Sequence, residues 1–132
     1  MSQENVEVAR RMDAVDRRDL PLLIELTDPE VEWQSFSAEI GEGGQYRGHP
    51  GIEQYVRDLD EAWEILRAEV DRLLDVGDVV LLVGRIVTRG RVSGVQDSVA
   101  AGWMVKFRDG RVLRMRAFRH PSKALEAVGL AE

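Results

Sequence analysis

Cysteine is missing from the 132 residues of this chain, and histidine occurs only twice, at His49 and His120. Disulfides, thiolate nucleophiles and zinc sites of the Cys/His type are thereby excluded, and no cofactor is expected. Long hydrophobic runs are missing too. The longest, "VVLLV" at 79–83, falls far short of the roughly 20 apolar residues that cross a bilayer, so no membrane partner is expected. The opening "MSQENVEVARR" has neither an apolar core nor a small-residue cleavage site, which points to a cytoplasmic protein without a signal peptide. Cations are outnumbered, with 18 Lys and Arg against 24 Asp and Glu and a net charge of -6. A pI near 5.0 argues against a nucleic-acid partner, because phosphate binding rests on clustered cations.

What is present suits a globular core: 44% of residues are hydrophobic, and the length fits a single domain over 1–132. Val8, Met12 and Val15 define one face of a helix over 3–19. Asp19 caps a short second helix, "LPLLIELT", with Pro21 in its first turn, and Asp28-Pro29 ends it. "VEWQSF" alternates as a strand with Val31, Trp33 and Ser35 on one face. A Gly-rich loop, "SAEIGEGGQYRGHPG", leads to a helix from Pro50 whose apolar stripe runs through Ile52, Tyr55, Val56, Leu59, Trp63 and Leu66. "LRAEVDRLL" fits either a continued helix or a strand; the strand is favoured because the helix would be long and uncapped. The remainder reads as sheet, "RDGR" at 108–111 marks a hairpin, and a short helix, "SKALEAVGL", closes the chain. Strands gathered after helices give α+β with a mostly antiparallel, curved sheet.

"DPEVEW", "YRGHPGIEQYV", "FRDGRVLRMRAF" and "ALEAVGL" together resemble the SnoaL-like branch of the nuclear-transport-factor-2-like superfamily, over roughly residues 4–130. The resemblance implies a cone-shaped α+β barrel whose strongly curved sheet packs against three helices from the N-terminal half. It also implies a cavity and a homodimer. Members include ketosteroid isomerases, limonene epoxide hydrolases and polyketide cyclases, but their chemistry does not carry over. The isomerase general base matches Trp33, and its oxyanion-hole Tyr and Asp match Arg11 and Trp103. The hydrolase Asp-Arg-Asp relay matches Val83, Arg85 and Ala117. An indole can donate a hydrogen bond but cannot accept a proton as a base.

Orienting the strands by this resemblance turns Trp33 and Trp103 into the cone, with Val99, Ala101, Val105 and Phe107 on the same side. Val83, Arg85 and Val87 join them, as do Met115, Ala117 and Arg119; Tyr55 and Leu59 complete the lining. Leu82, Ile86, Met104, Lys106, Arg114, Arg116 and Phe118 are then left outside. Because "VVLLV" is apolar on both faces, a second copy packed on the outer face is the simplest cover; the alternative is arginines lying along a solvated sheet. Arg85 either anchors a ligand oxygen or pairs internally with Asp97, Glu39 or Asp13. Asp97 and His120 are the candidate proton-transfer groups, whereas His49 reads as a surface or capping group. Three functions fit: isomerisation, hydration or cyclisation of an apolar, ring-containing molecule; non-catalytic binding of a small apolar or anionic ligand; or an interaction domain whose cone is filled by its own tryptophans.

Overall fold

The computed structural model describes residues 2–16, 18–36, 43–77, 79–127 and 129. Local signals place several boundaries. The Asp19 carboxylate accepts the Leu22 N–H at 3.2 Å and starts a helix that carries Pro21 in its first turn, where a missing N–H costs nothing. Asp109 and Gly110 both adopt positive φ, 52° and 78°, between paired residues Arg108 and Arg111. That is the backbone of a two-residue hairpin turn whose twist matches the flanking strands.

In chain order the elements are α1 (Ser2–Arg10), a 3-10 turn (Arg11–Val15), α2 (Leu20–Leu26), β1 (Thr27–Gln34), β2 (Gln45–Arg47), α3 (Gly48–Ala62), β3 (Trp63–Val76), β4 (Val79–Gly90), β5 (Gln96–Arg108), β6 (Arg111–Phe118) and α4 (Pro121–Ala127). The fold is α+β. Its six strands lie in the order β2-β1-β6-β5-β4-β3, with β1 and β6 parallel and every other pair antiparallel. The sheet is curved but open, with β2 and β3 as its edges, so it forms a cone wall rather than a closed barrel.

Several expected boundaries move: the helix expected over 3–19 is α1 to Arg10 followed by the 3-10 turn, and β1 begins at Thr27, ahead of Asp28-Pro29. The helical stripe stops at Ala62, and Trp63 and Leu66 belong to β3; a register shift between Trp63 and Ile65 brings both to the cavity face despite their odd spacing. The Gly-rich loop contains the short strand β2, which pairs with β1 at Trp33 and Tyr46.

The main core lies between the concave face and the helices of the N-terminal half, with Leu23, Val31, Trp33, Ile52, Val80, Val105 and Val112 at 2% exposure or less. Each such side chain contributes roughly 1.5–3 kcal/mol of burial. A second cluster, Leu81, Met104, Phe118 and Ala124, lies on the convex face beneath α4. It explains why "VVLLV" is apolar on both sides: Val80 and Leu82 join the inner core, and Leu81 and Val83 the outer one. The chain's own last helix is the cover there.

Gly84 marks where the sheet bends. A Cβ on it would stand 1.9 Å from the Glu69 carbonyl oxygen, beside a register shift between Val70 and Arg72 of β3. The neighbouring backbone fills the space a side chain would need, so only glycine fits.

At the far end of β5, Arg108 clamps the start of β1. Its Nη2 and Nε donate to Asp28 at 2.9 and 3.2 Å, and Nη2 also donates to Glu30 at 2.6 Å. Asp28 is 7% exposed. The Arg108 hydrogen bonds, helped by the Glu30 N–H, hold its carboxyl below the ordinary value of 3.8. A carboxyl so lowered stabilises the fold above 3.8, and the contribution disappears as pH falls through the native value. Asp28→Asn should therefore lower the urea midpoint near pH 7, with the gap to wild type closing in acid. A gap unchanged between pH 7 and pH 3 would remove the clamp from the stability account.

Candidate functional site

The cross-strand register fixes which side chains meet on the concave face. In antiparallel pairing, directly opposed residues share a face. Trp103 opposes Leu82 and Ala117, Val105 opposes Met115, Val99 opposes Ile86 and Asp97 opposes Thr88. Across the sheet, Trp33 opposes Met115 on one side and Tyr46 on the other. With α3 supplying Tyr55, Asp58 and Leu59, and the 3-10 turn and its flank supplying Met12 and Asp16, these residues wall a cavity of about 790 Å3.

Of the residues expected in the site, Trp33, Tyr55, Leu59, Trp103, Val105, Met115, Ala117, Arg119 and Asp97 all line this cavity. Val83, Arg85 and Val87 do not. They oppose Gly102, Ala100 and Ser98 on the other side of the sheet, and the cavity positions of β4 are Leu82, Ile86 and Thr88. The expected phase of β4 is thus one residue out, and such a slip exchanges the two faces completely. Arg85 is exposed, opposite Glu69 of β3. It is neither a buried ligand anchor nor half of a buried pair. Of the partners considered for it, Glu39 and the Asp13 side chain lie outside the described residues. Asp97 stands exposed at the rim, its Oδ1 accepting the Ser98 N–H at 2.8 Å. His120 is exposed beyond the end of β6 and does not reach the cavity. His49 is engaged structurally, its Nε2 3.0 Å from the Thr27 carbonyl oxygen.

Aromatic rings dominate the wall. Trp33 and Tyr55 lie 5.5 Å apart, Tyr55 and Tyr46 5.3 Å, and Phe36 and Trp103 6.0 Å between centroids, within the range of favourable tilted and edge-to-face packing. Trp63, expected to be core, also lines the cavity. Few polar groups interrupt this surface. The Tyr46 hydroxyl donates to Asp58 Oδ2 at 2.5 Å, and Gln54 Nε2 donates to Oδ1 at 2.7 Å. Burial, then the Asp58 contact, pushes the Tyr46 phenol well above its ordinary value. Asp16 Oδ1 accepts the Ala68 N–H of β3 at 3.0 Å. Tyr55 is pushed up to about 12, chiefly by burial and further by the Asp16 charge, with the Trp33 N–H and Arg18 acting the other way. Both phenols are therefore protonated near neutrality.

Asp16, Tyr46 and Asp58 were not foreseen. Asp58 follows Tyr55 by three positions, so the helical period of α3 would have placed it on the cavity face. Asp16 follows Met12 by four positions, so the helical period read over 3–19 would have placed it on the same face; Tyr46 sits in the Gly-rich segment, which has no periodicity. No group of three or more metal-ligating side chains occurs among the described residues. No helix among them is long and apolar enough to cross a membrane.

Comparison with known proteins agrees with this architecture. A family model described as a SnoaL-like domain matches residues 8–115. No curated protein matches the chain. Among solved structures, an NTF2-like protein of unknown function from Burkholderia pseudomallei K96243 is similar at 21% identity and a TM-score of 0.79, covering 98% of this chain and 99% of that one. TerC, co-crystallised with polyporic acid, is similar at 21% identity and a TM-score of 0.75, covering 95% and 98%. A ketosteroid isomerase-like protein from Catenulispora acidiphila DSM 44928, in complex with trimethylamine, is 14% identical with a TM-score of 0.76, covering 94% and 93%. At these identities the likeness is one of fold.

Proposed function

Because the chain belongs to the SnoaL-like domain family, we propose that it binds a small, ring-containing molecule in the concave cavity and converts it by acid–base chemistry: an isomerisation, hydration or cyclisation that needs no redox partner. The observation that carries this reading is the cavity itself, about 790 Å3 and walled by Trp33, Trp63, Trp103, Phe36, Tyr46 and Tyr55. Its volume falls in the roughly 300–1,000 Å3 range of small-molecule sites, and flat aromatic walls suit a flat apolar ligand. Polyporic acid with TerC and trimethylamine with the Catenulispora acidiphila protein support small-molecule binding on this fold. Asp16, inside the cavity, is the best-placed group to move a proton; Asp97 at the rim is a second. His120 takes no part.

One observation favours binding without turnover. Asp58 is held by Tyr46 and Gln54, and Asp16 accepts a backbone N–H, so both inner carboxylates already serve the fold. The two readings separate on whether the ligand is recovered unchanged. A cone filled by its own tryptophans is disfavoured by the cavity volume.

The same proposal includes a homodimer, the second copy meeting the convex face where α4 leaves it uncovered. Ser98 and Ala100 are exposed there, and Glu69 opposite Arg85 offers charges of both signs to a two-fold contact. Sedimentation equilibrium should give twice the mass of 14.9 kDa; a single-chain mass at micromolar concentration would remove the dimer.

For the cavity, thermal unfolding should be followed against polycyclic, terpenoid and aromatic-acid compounds, with any stabilising compound examined afterwards by proton NMR for conversion. A ligand at a hundred times its Kd stabilises by about 2.7 kcal/mol, a shift of several degrees in Tm for a chain of this size. Conversion should slow at least about tenfold in Asp16→Asn. A broad panel that leaves Tm unmoved would defeat the binding reading, and an unchanged ligand would leave a binding protein.

A further inference from the structure

The face of the sheet turned away from the cavity carries a basic groove. Arg47, Glu32, Arg114 and Lys106 alternate with Tyr46, Trp33, Met115 and Val105, which line the cavity, so they stand on the convex side. These four are successive register partners on β2, β1, β6 and β5, a row across strands about 4.8 Å apart. Beside the row, both central strands leave regular pairing. The β1–β6 register shifts between Thr27 and Glu32, and Leu113 of β6 has no register partner on either neighbour. Such bulges re-aim side chains and interrupt the ladder. Here they adjoin a groove of about 460 Å3, in which Pro29 and Leu113 are the apolar part and the rest of the lining is charged.

The charges are unevenly matched. Arg108 is committed to Asp28 and Glu30. Glu32 is shared, its two oxygens lying 3.3 Å from Arg114 and 3.9 Å from Arg47, beyond the roughly 2.7–2.9 Å of a charge-assisted hydrogen bond. Lys106 is half-buried, and among the described residues it has no carboxylate partner. It stands directly opposite Arg114, a like-charge pairing that destabilises a sheet. Two positions along β6, Arg116 rests its guanidinium 4.9 Å from the Phe118 ring, and its buried Nε has no acceptor. Arg47, Lys106, Arg108, Arg114 and Arg116 thus face only Asp28, Glu30 and Glu32, an excess of two positive charges on a chain whose net charge is -6.

We infer that this groove binds a dianionic oxyanion, the phosphate of a small phosphate ester, held by Lys106 and Arg114 with Arg47 beside them. Near neutrality a phosphate monoester carries close to two negative charges and three acceptor oxygens, which match the excess charge and serve all three side chains at once. A monoanion leaves one charge unanswered. Pro29 and Leu113 offer an apolar surface to the ester's body. Long polyanions suit the groove poorly, because Glu30 and Glu32 line it and the net charge of the chain opposes a phosphate backbone. The site lies across the sheet from the cavity, and toward β2, whereas the proposed two-fold contact at Arg85 and Glu69 lies toward β3.

Three probes test it by isothermal titration of the full chain at low ionic strength: phenyl phosphate, inorganic phosphate, and benzenesulfonate as a monoanion with the same ring. Phenyl phosphate should bind about fivefold or more tightly than benzenesulfonate. Lys106→Ala should weaken both phosphates about tenfold, and Glu32→Gln should tighten them about threefold. Arg72→Ala removes an exposed cation from β3, at the other edge of the sheet, and should leave them within about twofold. Inorganic phosphate has no ring for the concave cavity, so its response reports the groove whether or not the cavity reading holds. Phosphate binding that ignores Lys106→Ala overturns the inference, as does benzenesulfonate binding as tightly as phenyl phosphate. An equal loss in Arg72→Ala would mean diffuse attraction and overturns it too, as does a wild type that binds no inorganic phosphate saturably. Should Lys106→Ala fold poorly, Glu32→Gln and the ranking of the probes on wild type still decide.

Discussion

The register between β4 and β5 is the constraint on which the rest depends. Leu82 opposite Trp103 and Ile86 opposite Val99 commit one face of both strands to the cavity, and the residues that alternate with that face, Val83, Arg85 and Val87 among them, to the other side. Two glycines let that face curve. At Gly84 the β3 backbone comes so close that no Cβ fits, beside the register shift between Val70 and Arg72. At Gly102, on the convex side, a Cβ would lie 2.9 Å from the Ala124 Cβ, so α4 seats directly on the strand. The first glycine shapes the cavity, and the second closes the opposite core over Leu81, Met104 and Phe118. Shifting β4 by one residue would place Arg85 against the cavity and Ile86 in water, reversing both burials at once.

From that register follows an arrangement of charge. The inner wall is aromatic with carboxylates at Asp16 and Asp58, while the cationic groups that line it, Arg10 and Arg119, are exposed. Burial raises both phenols, and the one cation that bears on Tyr55 from close by is Arg18, whose head is engaged by Asp60 and the Trp63 carbonyl. The other phase of β4 would have set Arg85 on this wall.

The legible parts of the sequence were those governed by local physics. Asp19 with Pro21 marked a helix start, Asp109-Gly110 a two-residue turn, and the Tyr55–Leu59 stripe a buried helix face. The inner face of β5 and β6 was legible because Trp33 and Trp103 supplied the phase and strict alternation carried it to Val105, Met115 and Ala117. β4 was illegible for a physical reason. "VVLLV" is buried on both sides, so its pattern holds no phase, and the phase comes from partners 19 to 27 residues away along the chain, from Val83 with Gly102 to Val79 with Lys106. The end of α3 was obscured because a register shift just after Trp63 keeps Trp63 and Leu66 on one face of β3, at a spacing that also suits a helix. Tyr46 reaches the cavity only through tertiary pairing, with Trp33 across β2 and β1, while Asp16, in phase with Met12, is fixed there by the Ala68 N–H. The apolar convex face suggested a second copy, whereas a helix at the end of the same chain covers its centre.

The most direct test of the account uses methyl NMR of the chain during titration with a ring compound that raises its Tm, comparing neighbours in sequence that face opposite ways. Leu82 and Ile86 methyl signals should shift with the indole N–H signals of Trp33 and Trp103, and those of Leu81 and Val83 should stay in place. Shifts at Val83 with Ile86 unmoved would contradict the register, the cavity and the function built on them.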